Sequence, residues 1–286
     1  MKKQKFLNPL FLFFAAFIWG TAFAAQSAGM EYIGPFTFSA LRSFIGSLFL
    51  LPFIWIFKKK DNAKSKISDN IKGGFVCGLA LCAAANLQQT ALLYASVGKS
   101  GFLTALYIII VPVIGVFLGK KLNAKLCIAS LCALAGLYLL CMKTNQMKLE
   151  FGDILLLLCA VAFSIHILAI DHYTQKVNGV TLSCIQFFVC GAISAFLMFA
   201  FETPSLRAIA DARLPLLYVG IFSSGIAYTF QIIGQKGLNP VVASLIMSLE
   251  SVISAIAGWV ILGQTLSGRE IAGCAVMFLA ILIAQI

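Results

Sequence analysis

The chain has 286 residues, 61% of them hydrophobic and 11% charged, with a mean hydropathy of +0.98. A soluble domain of this length needs a far more polar surface, so the composition excludes one and places the chain among membrane proteins. The net charge of +11 does not indicate a nucleic-acid partner, because the lysines cluster beside apolar runs, as in Lys58-Lys59-Lys60 and Lys120-Lys121. That is the pattern of loops near anionic lipid.

The N-terminal stretch MKKQKFLNPLFLFFAAFIWG has a basic start and an apolar run. A signal peptide is the competing reading. No small-residue cleavage site leads into a polar mature domain, and apolar segments continue down the chain, so it is read as a retained membrane helix. At ~20 residues per crossing, apolar runs then predict ten spans: 9–29, 36–57, 71–94, 99–119, 124–142, 151–171, 180–201, 213–235, 240–262 and 268–286. The breaks between them carry charge, glycine or proline. Val97-Gly98-Lys99 marks a very short connection, and Asn239-Pro240 opens the ninth span with proline where its missing N–H costs least.

With the N-terminus inside, the lysines of 2–5, 58–72 and 120–125 fall on the inner side, together with Lys176 and Lys236. The outer segments hold only Lys99, Lys143, Lys148, Arg207, Arg213 and Arg269. This asymmetry predicts both termini in the cytoplasm.

The two halves align at an offset of 144. Leu118-Gly119 then falls on Leu262-Gly263, Ser100 on Ser244, Trp19 on Phe163 and Arg42 on Gln186. Within one transmembrane domain, 1–286, this predicts a first five-helix repeat over 1–146 and a second over 147–286. Five crossings per half invert the second unit relative to the first, the arrangement that supports alternating access around a midplane site.

Polar residues inside the spans mark the candidate site. A charge at the centre of a membrane helix costs about 2.5–3.5 kcal/mol on insertion scales, so Glu250 requires a partner or a cavity. Ala243, Met247, Ser254 and Ala257 share its helical face. Its repeat mate is Leu106, beside Tyr107, with Thr104 and Ser100 nearby and Pro112 following. The third span carries Asn86, Gln89 and Thr90, and the eighth a stripe of Ser224, Tyr228, Gln231 and Gln235. Amides in lipid need partners, either as glue between helices or as a cavity lining.

Trp19 offers a packing residue or a platform for a solute, and His166 a packed, hydrogen-bonded side chain or a proton relay. Arg42 either snorkels outward, balances Glu250 or meets an anionic solute. The fifth and tenth spans hold almost no polar side chains, which predicts that both are peripheral and that the other eight enclose the cavity.

The nine cysteines are scattered through apolar runs, which reads as small buried residues and gives no disulfide framework or zinc site. The GKS at 98–100 is not a phosphate loop, since Leu93 occupies the position of its first glycine. No cofactor or metal is expected.

These features resemble the EamA-type members of the drug/metabolite transporter superfamily over nearly the whole chain. The resemblance is carried by Phe17-Ile18-Trp19-Gly20, by residues 95–107 leading to Val111-Pro112, by Ser248-Leu249-Glu250-Ser251-Val252 and by Leu262-Gly263-Gln264. Ser251 and Gln264 stand where many members have proline and glutamate. The resemblance implies a secondary carrier in a bacterial cytoplasmic membrane, often an exporter of amino acids or other small metabolites.

The chain is therefore expected to be an all-α membrane protein of ten helices. It would move a small polar or amphipathic solute by alternating access, with protons as an additional candidate partner. Expected solute contacts are Glu250, Tyr107, Asn86, Gln89, Tyr228, Gln231, Ser254, Trp19 and His166. Membrane lipid is the other expected partner, and the chain is expected as a monomer or a dimer. A lipid-modifying enzyme, for which Asp171-His172 is the candidate pair, and a non-transporting scaffold are the alternatives.

Overall fold

Backbone N–H and C=O groups in lipid must bond within the chain, and a helix satisfies them inside one segment. The computed structural model describes residues 2–58, 66–119, 123–141, 150–262 and 267–285, and among these there is no strand. The helices are α1 (Lys2–Gly29), α2 (Pro35–Lys58), α3 (Ile67–Ala91), α4 (Val97–Thr104), α5 (Tyr107–Phe117), α6 (Ala124–Cys141), α7 (Phe151–Tyr173) and α8 (Gly179–Phe201). There follow the short α9 (Leu206–Asp211), α10 (Arg213–Tyr218), a π-helical segment (Val219–Ala227), α11 (Tyr228–Gln235), α12 (Pro240–Met247), α13 (Leu249–Leu262) and α14 (Gly268–Gln285).

Among the described residues, nine segments are long and apolar enough to cross a membrane, with α4–α5, α10–α11 and α12–α13 each acting as one span. The protein is thus an all-α, multi-pass membrane protein. The tenth expected crossing corresponds to α14, which stands outside those nine. The expected repeat boundary at 146/147 and the residues Lys59, Lys60, Lys120, Lys121, Gly263 and Gln264 lie outside the described residues.

Local chemistry sets the helix ends. Val97-Gly98-Lys99 is the first turn of α4, not the connection expected there, because Ser96 is its N-cap and accepts from the Lys99 N–H. Asn239 caps α12 by accepting from the Val241 N–H at 2.9 Å, with Pro240 at the first helical position as expected. Just before it, Gly237 has φ +75°, a left-handed conformation that a β-carbon disfavours.

Tertiary contacts close both ends of the bundle. At one end, the Glu202 carboxylate at the end of α8 accepts from the Phe36 and Thr37 N–H groups at 2.8 Å each. At that same end, Lys99 pairs with Asp153 at 2.7 Å, joining the starts of α4 and α7. At the other end, Asn8 donates to the Lys236 carbonyl at 2.6 Å, and the Asn178 N–H donates to Asn70 Oδ1 at 3.0 Å.

The helices α6 and α14, which correspond to the fifth and tenth expected crossings, pack on each other. A β-carbon on Gly136 would lie 2.9 Å from the Gly273 carbonyl oxygen, and one on Gly273 would lie 2.7 Å from the Gly136 oxygen. This backbone approach is the small-residue packing used where lipid removes any hydrophobic drive between helices. Neither helix reaches the central cavity. All nine cysteines are free thiols.

Candidate functional site

The fourth and ninth spans are both interrupted, and at matched places. α4 ends at Thr104 and α5 begins at Tyr107, with Leu106 N–H bonded to the Leu103 carbonyl in a 3₁₀ turn. α12 ends at Met247 and α13 begins at Leu249, with Ser251 N–H bonded to the Ser248 carbonyl in the same way. Thr104 and Ser248 are mates at the offset of 144. The first interruption precedes Pro112, which lies inside α5.

The break moves Glu250 from the middle of a long helix into the first turn of α13. There the helix dipole favours a negative group, by about 0.3–1 kcal/mol. Its Oε1 also accepts from the Tyr107 hydroxyl at 3.2 Å, and the residue is 6% exposed. A helix start and a phenol therefore support the carboxyl group that the sequence left without a partner.

Glu250 and Tyr107 face a cavity of about 480 Å³ of atom-free space, its mouth included. Trp19, Phe23 and Gln26 of α1, Arg42 of α2, Gln88 of α3 and Thr104 of α4 contribute to its lining. So do Phe163 and Ile167 of α7, Ser223 of the π segment, Tyr228 and Gln231 of α11, and Met247 of α12. Two pairs of mates, Trp19 with Phe163 and Phe23 with Ile167, form apolar walls on opposite halves. The Trp19 and Tyr228 rings meet edge-on with centroids 4.7 Å apart, and Tyr228 also meets Phe187 at 5.2 Å. An apolar vessel with a few polar groups aimed inward is the usual form of a small-molecule site.

Five of the expected contacts line this cavity: Glu250, Tyr107, Tyr228, Gln231 and Trp19. Four do not. Asn86 donates to Ser194 Oγ at 2.8 Å and to the Cys82 carbonyl at 2.9 Å, so its amide joins α3 to α8. Gln89 donates to the Gln26 carbonyl at 3.3 Å and ties α3 to α1. His166 bonds Gln186 Oε1 through Nε2 at 3.1 Å, between α7 and α8. Ser254 is half-buried on α13, one turn beyond Glu250.

The same bonds correct the expected enclosure by eight helices. α8 contributes no lining residue, because its inward polar groups are engaged by α7, α3 and α11: Gln186 by His166, Ser194 by Asn86, and Ser183 by Thr229 at 2.9 Å.

The π segment explains another departure. Ser224, Tyr228, Gln231 and Gln235 share a face at α-helical spacing, but Val219–Ala227 winds with i→i+5 bonds. The wider turn shifts the register, so Ser223 reaches the cavity. Ser224 instead packs on α2, where a β-carbon on Gly46 would lie 2.7 Å from the Ser224 Cβ. Such segments occur often at functional sites. Gln235 is buried and donates to the Ile167 carbonyl at 3.1 Å, away from the cavity.

Gln26 and Gln88 line the cavity in addition to the expected contacts. Neither carries a local signal beyond polarity inside an apolar run. Gln88 donates to Thr104 Oγ1 at 3.3 Å, and Gln26 accepts from Arg42 Nη1 at 2.9 Å. Asp171 and His172 lie at the end of α7, with the His172 ring exposed beside Tyr173, and neither lines the cavity.

Comparison with known proteins adds a family. The model of the EamA-like transporter family matches residues 7–142 and again 150–285. An uncharacterized transporter of Archaeoglobus fulgidus is 29% identical over 99% of this chain and 87% of its own length. Two uncharacterized transporters of Bacillus subtilis, YwfM and YoaV, are 26% and 24% identical, covering 97% and 90% of this chain and 93% and 89% of their own. A solved crystal structure 21% identical in sequence shares the fold, with a TM-score of 0.81 over 97% of this chain and 96% of that one.

Proposed function

Because the chain belongs to the EamA-like transporter family, with relatives that point to a transporter rather than an enzyme, we propose that it is a secondary carrier of a small amphipathic metabolite such as an amino acid, working by alternating access. The observation that carries this reading is the cavity: it is lined from both halves and bordered by two broken helices whose starts meet through Tyr107 and Glu250. Discontinuous helices at a central site are a recurring device of secondary transporters.

In this reading the solute lies between the aromatic walls, with its polar groups on Gln231, Glu250 and Tyr107. The two halves, taken as inverted five-helix units, rock about the site. The lysine asymmetry supports both termini on the cytoplasmic side of a bacterial membrane. Export is the direction we favour, on the resemblance alone. Glu250 is the candidate proton carrier, since it is a carboxyl group that both faces the cavity and is nearly sealed from solvent.

The test begins with thermal shifts of the purified protein against a metabolite panel, followed by flux of the hits in proteoliposomes under imposed proton gradients. Saturable, gradient-driven flux is expected. Binding without flux under any gradient contradicts a carrier. Flux through Glu250→Gln with unchanged gradient dependence removes that residue from coupling.

A further inference from the structure

Arg42 is a buried cation with no carboxylate in ion-pair contact among the described residues. It is 5% exposed and lines the cavity. A guanidinium carries five N–H donors and no acceptor, so its needs are met only by acceptors. Nη1 donates to Gln26 Oε1 at 2.9 Å, while Nε has no partner. Among the described residues no carboxylate lies within 4.0 Å of it. Buried charges are ordinarily paired, because an uncompensated one carries the full cost of leaving water. The acid that shares the cavity, Glu250, belongs to the other half of the chain and is bonded by Tyr107.

The surroundings of Arg42 are prepared. Gln89 donates to the Gln26 carbonyl at 3.3 Å, so α3 steadies the residue that orients the guanidinium. Trp19 Nε1 is a second buried donor in the lining without a partner, and Gln231 Oε1 a buried acceptor without one. The cavity thus offers unfilled donors at Arg42 and Trp19, and unfilled acceptors at Gln231 and Glu250, whose bond to Tyr107 involves Oε1 alone.

Resting on the carrier reading above, we infer that Arg42 is the anion anchor of the cavity, its guanidinium binding the carboxylate of the transported solute while Gln26 holds it in place. The planar fork of Arg matches two carboxylate oxygens, which a lysine at this position does not reproduce. A second, cationic group on the solute meets Glu250 and Gln231, so zwitterions bind at both ends and simple carboxylates at one.

The experiment uses the full-length protein in detergent and a panel of carboxylates of graded length, each with its primary amide, and α-amino acids with theirs. Melting temperature and Kd are measured for wild type, Arg42→Gln, Arg42→Lys and Gln26→Ala. At least one carboxylate binds wild type roughly tenfold to a hundredfold tighter than its amide, the range expected for a charged hydrogen bond. Arg42→Gln abolishes that preference, and Arg42→Lys and Gln26→Ala reduce it.

A purely structural Arg42 gives another result: a lowered melting temperature with the carboxylate-over-amide ratio intact. That outcome overturns the proposal, as does equal binding of acids and amides by wild type, or no binding of any carboxylate. Variants are compared only as monodisperse protein, and Arg42→Lys keeps the charge should Arg42→Gln not fold. Flux separates this inference from the carrier reading. Selective binding without transport sinks the carrier and leaves the anchor, whereas transport of acid and amide alike, unchanged in Arg42→Gln, sinks the anchor and leaves the carrier.

Discussion

The Tyr107 hydroxyl donates to Glu250 Oε1 at 3.2 Å, joining the starts of two half-helices that stand 143 residues apart in the chain. Because each residue follows the interruption in its own span, the bond links the two places where helix geometry is already relaxed. Tyr107→Phe keeps the ring and removes the bond. The expected result is a several-fold loss of flux with a change in melting stability of about 1 kcal/mol, the usual net value of one hydrogen bond. Parallel flux and thermal-melt measurements check it, and unchanged flux separates this bond from the transport cycle.

The α6–α14 contact predicts the opposite behaviour. A β-carbon on Gly273 meets the Gly136 oxygen and the Leu140 nitrogen, both at 2.7 Å, and backbone atoms cannot swing aside. Gly273→Val is expected to destabilise by about 1–3 kcal/mol, as overpacking does. Gly268→Ala is the control, since nothing among the described residues lies within 4 Å of its added carbon. Melting curves of the two proteins test the contrast, and equal stability refutes the close approach.

Glu202 caps α2 from the end of α8, accepting from the Phe36 and Thr37 N–H groups. A carboxylate at a helix start satisfies orphan donors and the dipole together. Glu202→Ala is expected to cost about 0.5–2 kcal/mol. Hydrogen exchange localises the loss: faster exchange at Phe36 and Thr37 supports the cap, and exchange unchanged there contradicts it.

Asn86 and Gln231 are both buried amides, yet they occupy different places. Each has an amide oxygen without a partner, but Asn86 bonds Ser194 between α3 and α8, whereas Gln231 lies in the cavity lining. Asn86→Ala is expected to lower stability by about 1–3 kcal/mol, the cost of leaving a buried polar partner unsatisfied, with solute preference retained. Gln231→Leu is expected to change solute preference with little effect on stability. Competition profiles across a metabolite panel read the difference, and a shifted profile for Asn86→Ala contradicts this division.

Much of the fold was legible because lipid imposes simple rules. Apolar runs such as 151–171 and 180–201 announce helices, and the structure places helices at Phe151–Tyr173 and Gly179–Phe201. The apolar letters of 128–140 and 271–284 announced the peripheral pair α6 and α14. The candidate site was legible only in part. Polarity inside a span identifies residues that need partners, and it raised Glu250, Tyr107, Tyr228 and Gln231, all of which line the cavity. The same signal raised Asn86, Gln89 and His166, whose polar groups turn to neighbouring helices instead.

What the sequence determined by itself is membrane class, helical content and which residues cannot face lipid, since each follows from transfer costs summed along a segment. Only the tertiary structure decided where those residues point. The helix breaks at 105–106 and 248, and the π turn that exchanges Ser224 for Ser223, each alter register within what reads as an unbroken apolar run. Partnership is settled the same way: an amide in a membrane helix is satisfied equally well by glue or by cavity, and the choice belongs to whichever helix packs opposite it.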